Sequence, residues 1–97
     1  RKGLKMSLAI INGTIVTAES TAPGDILIED GRIRSIGTFD GVADETIDAS
    51  GHYVLPGGVD VHTHLDLPVQ SFRSADDFRT GTIAAACGGT TTIVDFC

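Results

Sequence analysis

The sequence is poor in aromatic residues and cysteine: 97 residues hold no tryptophan, one tyrosine, four phenylalanines and two cysteines. Cys87 and Cys97 show no close pairing motif, which removes a disulfide-stapled scaffold and leaves both as reduced, small apolar residues. Positive charge is also scarce. Seven Lys and Arg against thirteen Asp and Glu give a formal net charge of −6, which weighs against a nucleic-acid partner, since binding phosphates needs a basic patch. The only basic cluster is Arg1-Lys2-Gly3-Leu4-Lys5, and residues 1–6 read as a tag or disordered start, with a natural beginning at Met6. No apolar run approaches the ~18 residues of a membrane span, and no signal-peptide pattern is present; no membrane partner and a cytoplasmic location are the default expectations. What is present, 41% apolar residues and twelve glycines, is the composition of an ordinary globular chain rather than a disordered one.

Residues 7–55 read as short strands. Leu8-Ala9-Ile10-Ile11 and Thr14-Ile15-Val16-Thr17 flank Asn12-Gly13, a pair that predicts a two-residue hairpin turn because both turn positions need positive φ. Ala18 to Gly24 reads as a polar loop closed by Pro23-Gly24. Asp25–Glu29 and Arg32–Ile36 are strands joined by an Asp30-Gly31 turn. After a loop at 37–45 come Thr46–Ala49, a Ser50-Gly51 turn and His52–Leu55, with His52 read as structural. The expectation is short antiparallel strands of a small sheet or sandwich.

Pro56-Gly57-Gly58 breaks this pattern, and residues 56–97 differ in kind. Val59-Asp60-Val61-His62-Thr63-His64 is β-prone, and in a strand alternate side chains share a face. His62 and His64 therefore project together, with Asp60 one step behind, and neutral imidazoles so placed converge on one metal ion. Val59, Val61 and Thr63 take the opposite face, where an apolar cover is expected. Leu65–Arg73 reads as a loop. Ser74 reads as a helix N-cap with Asp77 as its capping-box partner, and Asp76 and Asp77 fall in the first turn. Phe78, Thr82, Ala85 and Ala86 recur at helical spacing as a buried face, Gly88-Gly89 ends the helix, and Thr90–Phe96 is again β-prone. Strand, helix and strand with short connections form one βαβ unit, hence two parallel strands. Such a unit cannot cover both faces of its sheet, so the chain reads as truncated.

With these blocks in hand, the chain resembles the N-terminal part of the dihydropyrimidinase and hydantoinase family of cyclic amidohydrolases. The resemblance rests on Leu55–Asp66 around the two histidines, Ser74–Phe78, Gly81-Thr82, Gly88–Phe96 and the start Ile11–Val16. It implies an α/β fold: the opening βαβ of a metal-dependent (β/α)₈ TIM barrel, preceded by strands of a small β-sandwich. A full barrel takes ~250 residues. It implies that His62 and His64 bind a divalent metal, two Zn ions or alternatively Mn, bridged by a carboxylated lysine outside this chain. Asp60 is then either a residue orienting a ligand from behind or a carboxylate hydrogen-bonded for structure alone. In such enzymes the loop after the histidines gates the substrate; here Leu65, Leu67, Val69 and Phe72 either form that hydrophobic gate or pack on neighbouring loops. The implied chemistry is opening of a dihydropyrimidine or hydantoin ring by metal-activated hydroxide. The proton-transfer aspartate lies outside the chain, so no catalytic residue is assigned and the isolated segment is expected to be inactive. A homo-oligomer, tetramer or dimer, is implied for the longer protein.

Rival readings remain. Dihydroorotases place an arginine two residues after the second histidine, where this sequence has Asp66, an acidic residue expected to repel a substrate carboxylate. Allantoinase is not separated from the hydantoinases by these residues. Non-catalytic scaffold relatives of the same fold usually lack the second histidine, which is present here as His64.

Overall fold

Ser7–Val16 forms one ten-residue strand, β1, where the sequence predicts two strands and a hairpin. The computed structural model describes residues 6–96, and the chain divides into two compact units between Pro56 and Gly57. The basic cluster at 1–5 and Cys97 lie outside the described residues.

In the first unit β1 pairs antiparallel with β2, Thr21–Glu29, which pairs antiparallel with β3, Arg32–Gly37. Asn12-Gly13 marks a bulge rather than a turn: Ile10 faces Ile26 and Gly13 faces Gly24, so Ile11 and Asn12 together oppose Asp25. A type I′ turn needs positive φ at both residues, and only Asn12 has it, at 61°. A bulge needs a single such residue. The Asn12 N–H freed from the ladder donates to Asp25 Oδ1 at 2.9 Å, and the Asn12 side chain donates to Asp48 Oδ1 at 3.3 Å. Gly13 is required by close approach, because a Cβ there would lie 2.6 Å from Val54 Cγ2 and 3.3 Å from Ala49 Cβ.

The loop expected at 18–24 shrinks to a tight turn, in which the Thr17 N–H donates to the Ser20 carbonyl at 2.8 Å. Pro23-Gly24 sits inside β2. Pairing with β3 begins only at Asp25, so Pro23 occupies a stretch with one neighbouring strand, where a missing N–H is tolerated. The Asp30-Gly31 turn forms as its sequence predicts, with φ of 51° and 75°.

The remaining strands, β4 (Glu45–Asp48) and β5 (Tyr53–Val54), both pair parallel to β1. This corrects the all-antiparallel expectation. The two act as one interrupted strand: β4 lies along Leu8–Ile11, β5 along Thr14-Ile15, and residues 49–52 loop out beside the β1 bulge. Ala49 N–H donates to Ile11 O at 2.8 Å and Thr14 N–H donates to His52 O at 3.0 Å, which carries the pairing across the gap. His52 turns its Nδ1 to the Ser50 carbonyl at 2.9 Å, a contact internal to this turn. The described residues of this unit form one five-stranded mixed sheet, of order β3-β2-β1-β4 with β5 also on β1. Its buried apolar residues are Ala9, Ile15, Ile26 and Ala49, while Ile33 and Ile36 are exposed.

The second unit runs β6 (Gly58–Thr63), β7 (Pro68–Val69), β8 (Phe72–Arg73), α1 (Phe78–Cys87) and β9 (Thr90–Asp95). β6 and β9 pair in parallel with the helix between them, as a βαβ unit requires. Val59 and Val61 on β6 are exposed, so the apolar cover expected over that face is not found among the described residues; one helix does not cover both faces of a parallel sheet. The segment read as a plain loop contains a small antiparallel hairpin, β7–β8, turning at Gln70 with φ of 53°.

Two expectations about the helix are corrected. Its N-cap is Asp77, not Ser74: the Asp77 carboxylate accepts from Thr80 N–H at 2.8 Å, and Thr80 Oγ1 accepts from Asp77 N–H at 3.1 Å. Ser74 is engaged elsewhere, donating its N–H to Leu67 O at 2.9 Å and accepting from Leu67 N–H at 3.1 Å. Asp76 and Asp77 therefore precede the first turn. The expected face of Phe78, Thr82, Ala85 and Ala86 is not buried; Gly81 and Ala85, four residues apart, are the half-covered positions. Leu65 lies over Gly81 and sets this face. Gly89, with φ of 88°, closes the helix in the left-handed conformation. No helix among the described residues is long and apolar enough to cross a membrane.

Candidate metal centre

β6 ends at Thr63, and the alternation of a strand carries His62 and His64 to one side of that end. Their Nε2 atoms stand 3.1 Å apart, with ring centroids 5.0 Å apart and planes at 72°. Two imidazole nitrogens each ~2.0–2.1 Å from one tetrahedral zinc are separated by roughly 3.3 Å. The pair thus fits as two ligands of one ion, and both rings are exposed to solvent. Among the described residues no group of three or more His, Cys, Asp or Glu gathers to hold a metal. Two ligands fall short of the three protein ligands normal even at a catalytic zinc.

The surroundings of the pair come from β9. Asp95 Oδ1 accepts from Thr63 Oγ1 and from the Leu65 N–H, each at 2.8 Å. Phe96 N–H donates to Thr63 O at 3.0 Å, and its ring centroid lies 4.6 Å from that of His62 and 5.2 Å from that of His64. Sequence reasoning placed Asp95 and Phe96 only as the end of a strand. The signal available was their position: in a parallel pair the ends of both strands lie on the same side of the sheet.

Asp60 Oδ1 accepts from the backbone N–H of His62 at 3.1 Å, so its hydrogen bond goes to main chain and not to an imidazole. Leu65 and Leu67 are half-buried, whereas Val69 and Phe72 are exposed and face each other across the β7–β8 hairpin. That hairpin is tied at its base: Arg73 Nη1 lies 2.6 Å from Asp66 Oδ1 and donates to Asp66 O at 3.1 Å. The Asp66 carboxylate is thus paired with Arg73 in a solvent-exposed ion pair.

No family model matches the chain. Curated relatives do. The chain is 60% identical over 92 residues to a D-hydantoinase of Rhizobium radiobacter, a match covering 95% of this chain and 20% of that protein. Among solved structures it is similar to a dihydropyrimidinase from Brevibacillus agri NCHU1002, with 53% identity and a TM-score of 0.87 over 95% of this chain and 20% of the other. A more distant likeness, 39% identical with a TM-score of 0.59 over 66% of this chain and 14% of the other, is to an N-acyl-D-glutamate deacylase from Bordetella bronchiseptica solved with zinc and a phosphonate inhibitor. Over 95% of its length the chain is similar to a stretch of D-hydantoinase sequence. It spans about a fifth of the length of the curated relatives it matches.

Proposed function

We propose that this chain supplies the first two metal ligands and the adjoining loop of a metal-dependent hydrolase that opens cyclic amides of the hydantoin or dihydropyrimidine type. The observation that carries the reading is the convergence of His62 and His64 Nε2 at the end of a parallel strand, in a chain 60% identical to a D-hydantoinase. Barrel enzymes keep their active sites at the C-terminal ends of their strands, and β6 and β9 would be the first two strands of a TIM barrel. The strands before Pro56 would belong to a small β-sandwich. A divalent metal bound there supplies a Lewis acid and an acidified water.

The residues of this chain hold and shape rather than transfer protons. His62 and His64 each present one nitrogen to the ion. Asp60 holds the main chain of His62. Leu65, Leu67, Val69 and Phe72 form the hydrophobic side of a gate over the ring substituent, with Val69 and Phe72 at its tip. Two zinc ions, or manganese, bridged by a carboxylated lysine outside this chain, belong to the same reading, as do a cytoplasmic setting and a homotetrameric or homodimeric assembly. The isolated segment is expected to show no turnover.

The test is metal analysis of a polypeptide of the relatives' length that carries this segment, alongside its His64→Ala variant. 5,6-Dihydrouracil, 5-substituted hydantoins, allantoin and dihydroorotate are then compared as ring-opening substrates. Metal in the parent protein, its loss in the variant and turnover of hydantoins or dihydrouracil support the reading. Preference for allantoin moves the assignment to an allantoinase, preference for dihydroorotate moves it to a dihydroorotase, and metal-free protein without turnover moves it to the non-catalytic scaffold relatives.

A further inference from the structure

We propose that Asp95 is the positioning residue of the histidine pair, holding His62 and His64 in register for one divalent cation by binding the Thr63 hydroxyl on one side of His64 and the Leu65 N–H on the other. The inference rests on the metal-centre reading above.

One oxygen does the clamping. Asp95 Oδ1 accepts from Thr63 Oγ1 and from Leu65 N–H, both at 2.8 Å, and the residue between those two donors is His64. The clamp falls where regular pairing gives least support. β6 ends at Thr63, and its register with β9 shifts between Asp60 and Thr63, the stretch containing His62. The Leu65 N–H lies beyond the last residue of the strand, so the carboxylate takes a donor that the ladder does not reach. Phe96 completes the hold: its N–H donates to Thr63 O at 3.0 Å, and its ring lies against both imidazoles. Asp95 thus ties the Thr63 side chain and the Leu65 main chain to one oxygen, while the next residue limits rotation of the rings.

A metal ligand is useful only within a few tenths of an ångström of its ideal distance. Removing a residue that orients ligands typically weakens metal affinity about 10–100-fold. The clamp needs an acceptor oxygen and not a charge, because both bonds go to the same atom. An asparagine carbonyl at that position can accept the same two bonds.

The experiment compares Asp95→Ala, Asp95→Asn and Thr63→Val in a polypeptide of the relatives' length carrying this segment. Cobalt(II) affinity is measured by chelator competition, the visible cobalt spectrum reports ligand geometry, and thermal unfolding is followed in parallel. The expected result is a cobalt affinity about 10–100-fold weaker in Asp95→Ala, with an altered spectrum, near-parental affinity in Asp95→Asn, and an intermediate loss in Thr63→Val, which removes one of the two donors. Unchanged affinity and spectrum in Asp95→Ala overturn the proposal, even if its melting temperature falls. Equal losses in Asp95→Asn and Asp95→Ala also overturn it, because they assign the effect to charge. If Asp95→Ala does not fold, Thr63→Val decides: unchanged affinity there overturns the clamp. Failure of the metal-centre reading is seen separately, as absence of cobalt binding in the unsubstituted protein, and it removes this proposal as well.

Discussion

His62 and His64 bring their Nε2 atoms to within 3.1 Å of each other at the end of β6. Among the described residues no third His, Cys, Asp or Glu clusters with the pair. Replacing either histidine by alanine in the longer protein is expected to lower metal affinity by more than about 100-fold, beyond the range for residues that only orient ligands. Metal content after dialysis reads the outcome directly. Retention of full metal content by His64→Ala places the ligands elsewhere.

The bulge at Asn12 makes a prediction about stability. Asn12 sits at φ 61°, and both its backbone N–H and its side chain find acceptors on Asp25 and Asp48. A β-branched residue in this conformation costs about 1–2 kcal/mol, and asparagine is among the residues that tolerate it. Asn12→Val is therefore expected to lose at least that amount in denaturant unfolding. Asn12→Gly relieves the backbone but loses the side-chain bond, and is expected to fall between the two.

The same bulge predicts the direction of acid sensitivity. The Asp25 carboxyl is held below the usual carboxylate range by the N–H of Phe39 and then that of Asn12. That of Asp48 is lowered chiefly by the Ser50 hydroxyl, then by the Ser50 N–H and the Asn12 side chain. A carboxyl with a depressed folded pKa contributes stability above its unfolded pKa of about 3.9, and that contribution is lost as pH falls through the lower folded value. Thermal unfolding of the first unit is expected to weaken below about pH 4. In Asp25→Asn the fall should be shallower; an unchanged profile removes Asp25 from the account.

The helix cap offers a sharper choice between two residues. Asp77 and Thr80 satisfy each other's backbone donors, whereas Ser74 bonds to Leu67. Asp77→Ala is expected to lower the melting temperature by a few degrees, with Asp77→Ser recovering most of it. Ser74→Ala should instead loosen the β7–β8 loop, seen as faster amide exchange at Leu67. Fraying of α1 in Ser74→Ala and not in Asp77→Ala would reverse the assignment.

These cases show which features local rules make legible. Alternation along residues 59–64 is enough to set His62 and His64 on one side, and the parallel pairing of β6 with β9 follows from a short helix between two β-prone runs. Asn12-Gly13 is different, because a hairpin and a bulge both begin with a left-handed asparagine. The choice is made by β4 and β5, which lie more than thirty residues along the chain and pair with both halves of β1. Ser74 and Asp77 are both good caps by type, and a tertiary contact with Leu67 decides between them. Asp95 was illegible for a further reason. Its role depends on where β9 stops beside β6, and that register is set by packing rather than by residue type.

The contact between Leu65 and Gly81 links the loop after the histidines to the helix. A Cβ on Gly81 would lie 3.0 Å from Leu65 Cδ1 and 3.2 Å from its Cγ, with Cδ2 closer still. Two effects oppose each other in Gly81→Ala. Helix propensity favours alanine by about 1 kcal/mol, while overpacking costs about 1–3 kcal/mol. Because the clashing atoms belong to the end of a flexible side chain, Leu65 can yield, and the alanine variant is expected to be near neutral in stability. Gly81→Val has no propensity gain of that size and adds two more carbons under Leu65, so a loss of about 1–3 kcal/mol is expected. Pairing Gly81→Val with Leu65→Ala should recover part of that loss, with a coupling of roughly 0.5–3 kcal/mol in a double-mutant cycle. Strict additivity would mean that the two side chains do not compete for the same space. Since Leu65 directly follows His64 and its N–H is bound by Asp95, displacing it should also weaken metal binding in Gly81→Val while sparing Gly81→Ala.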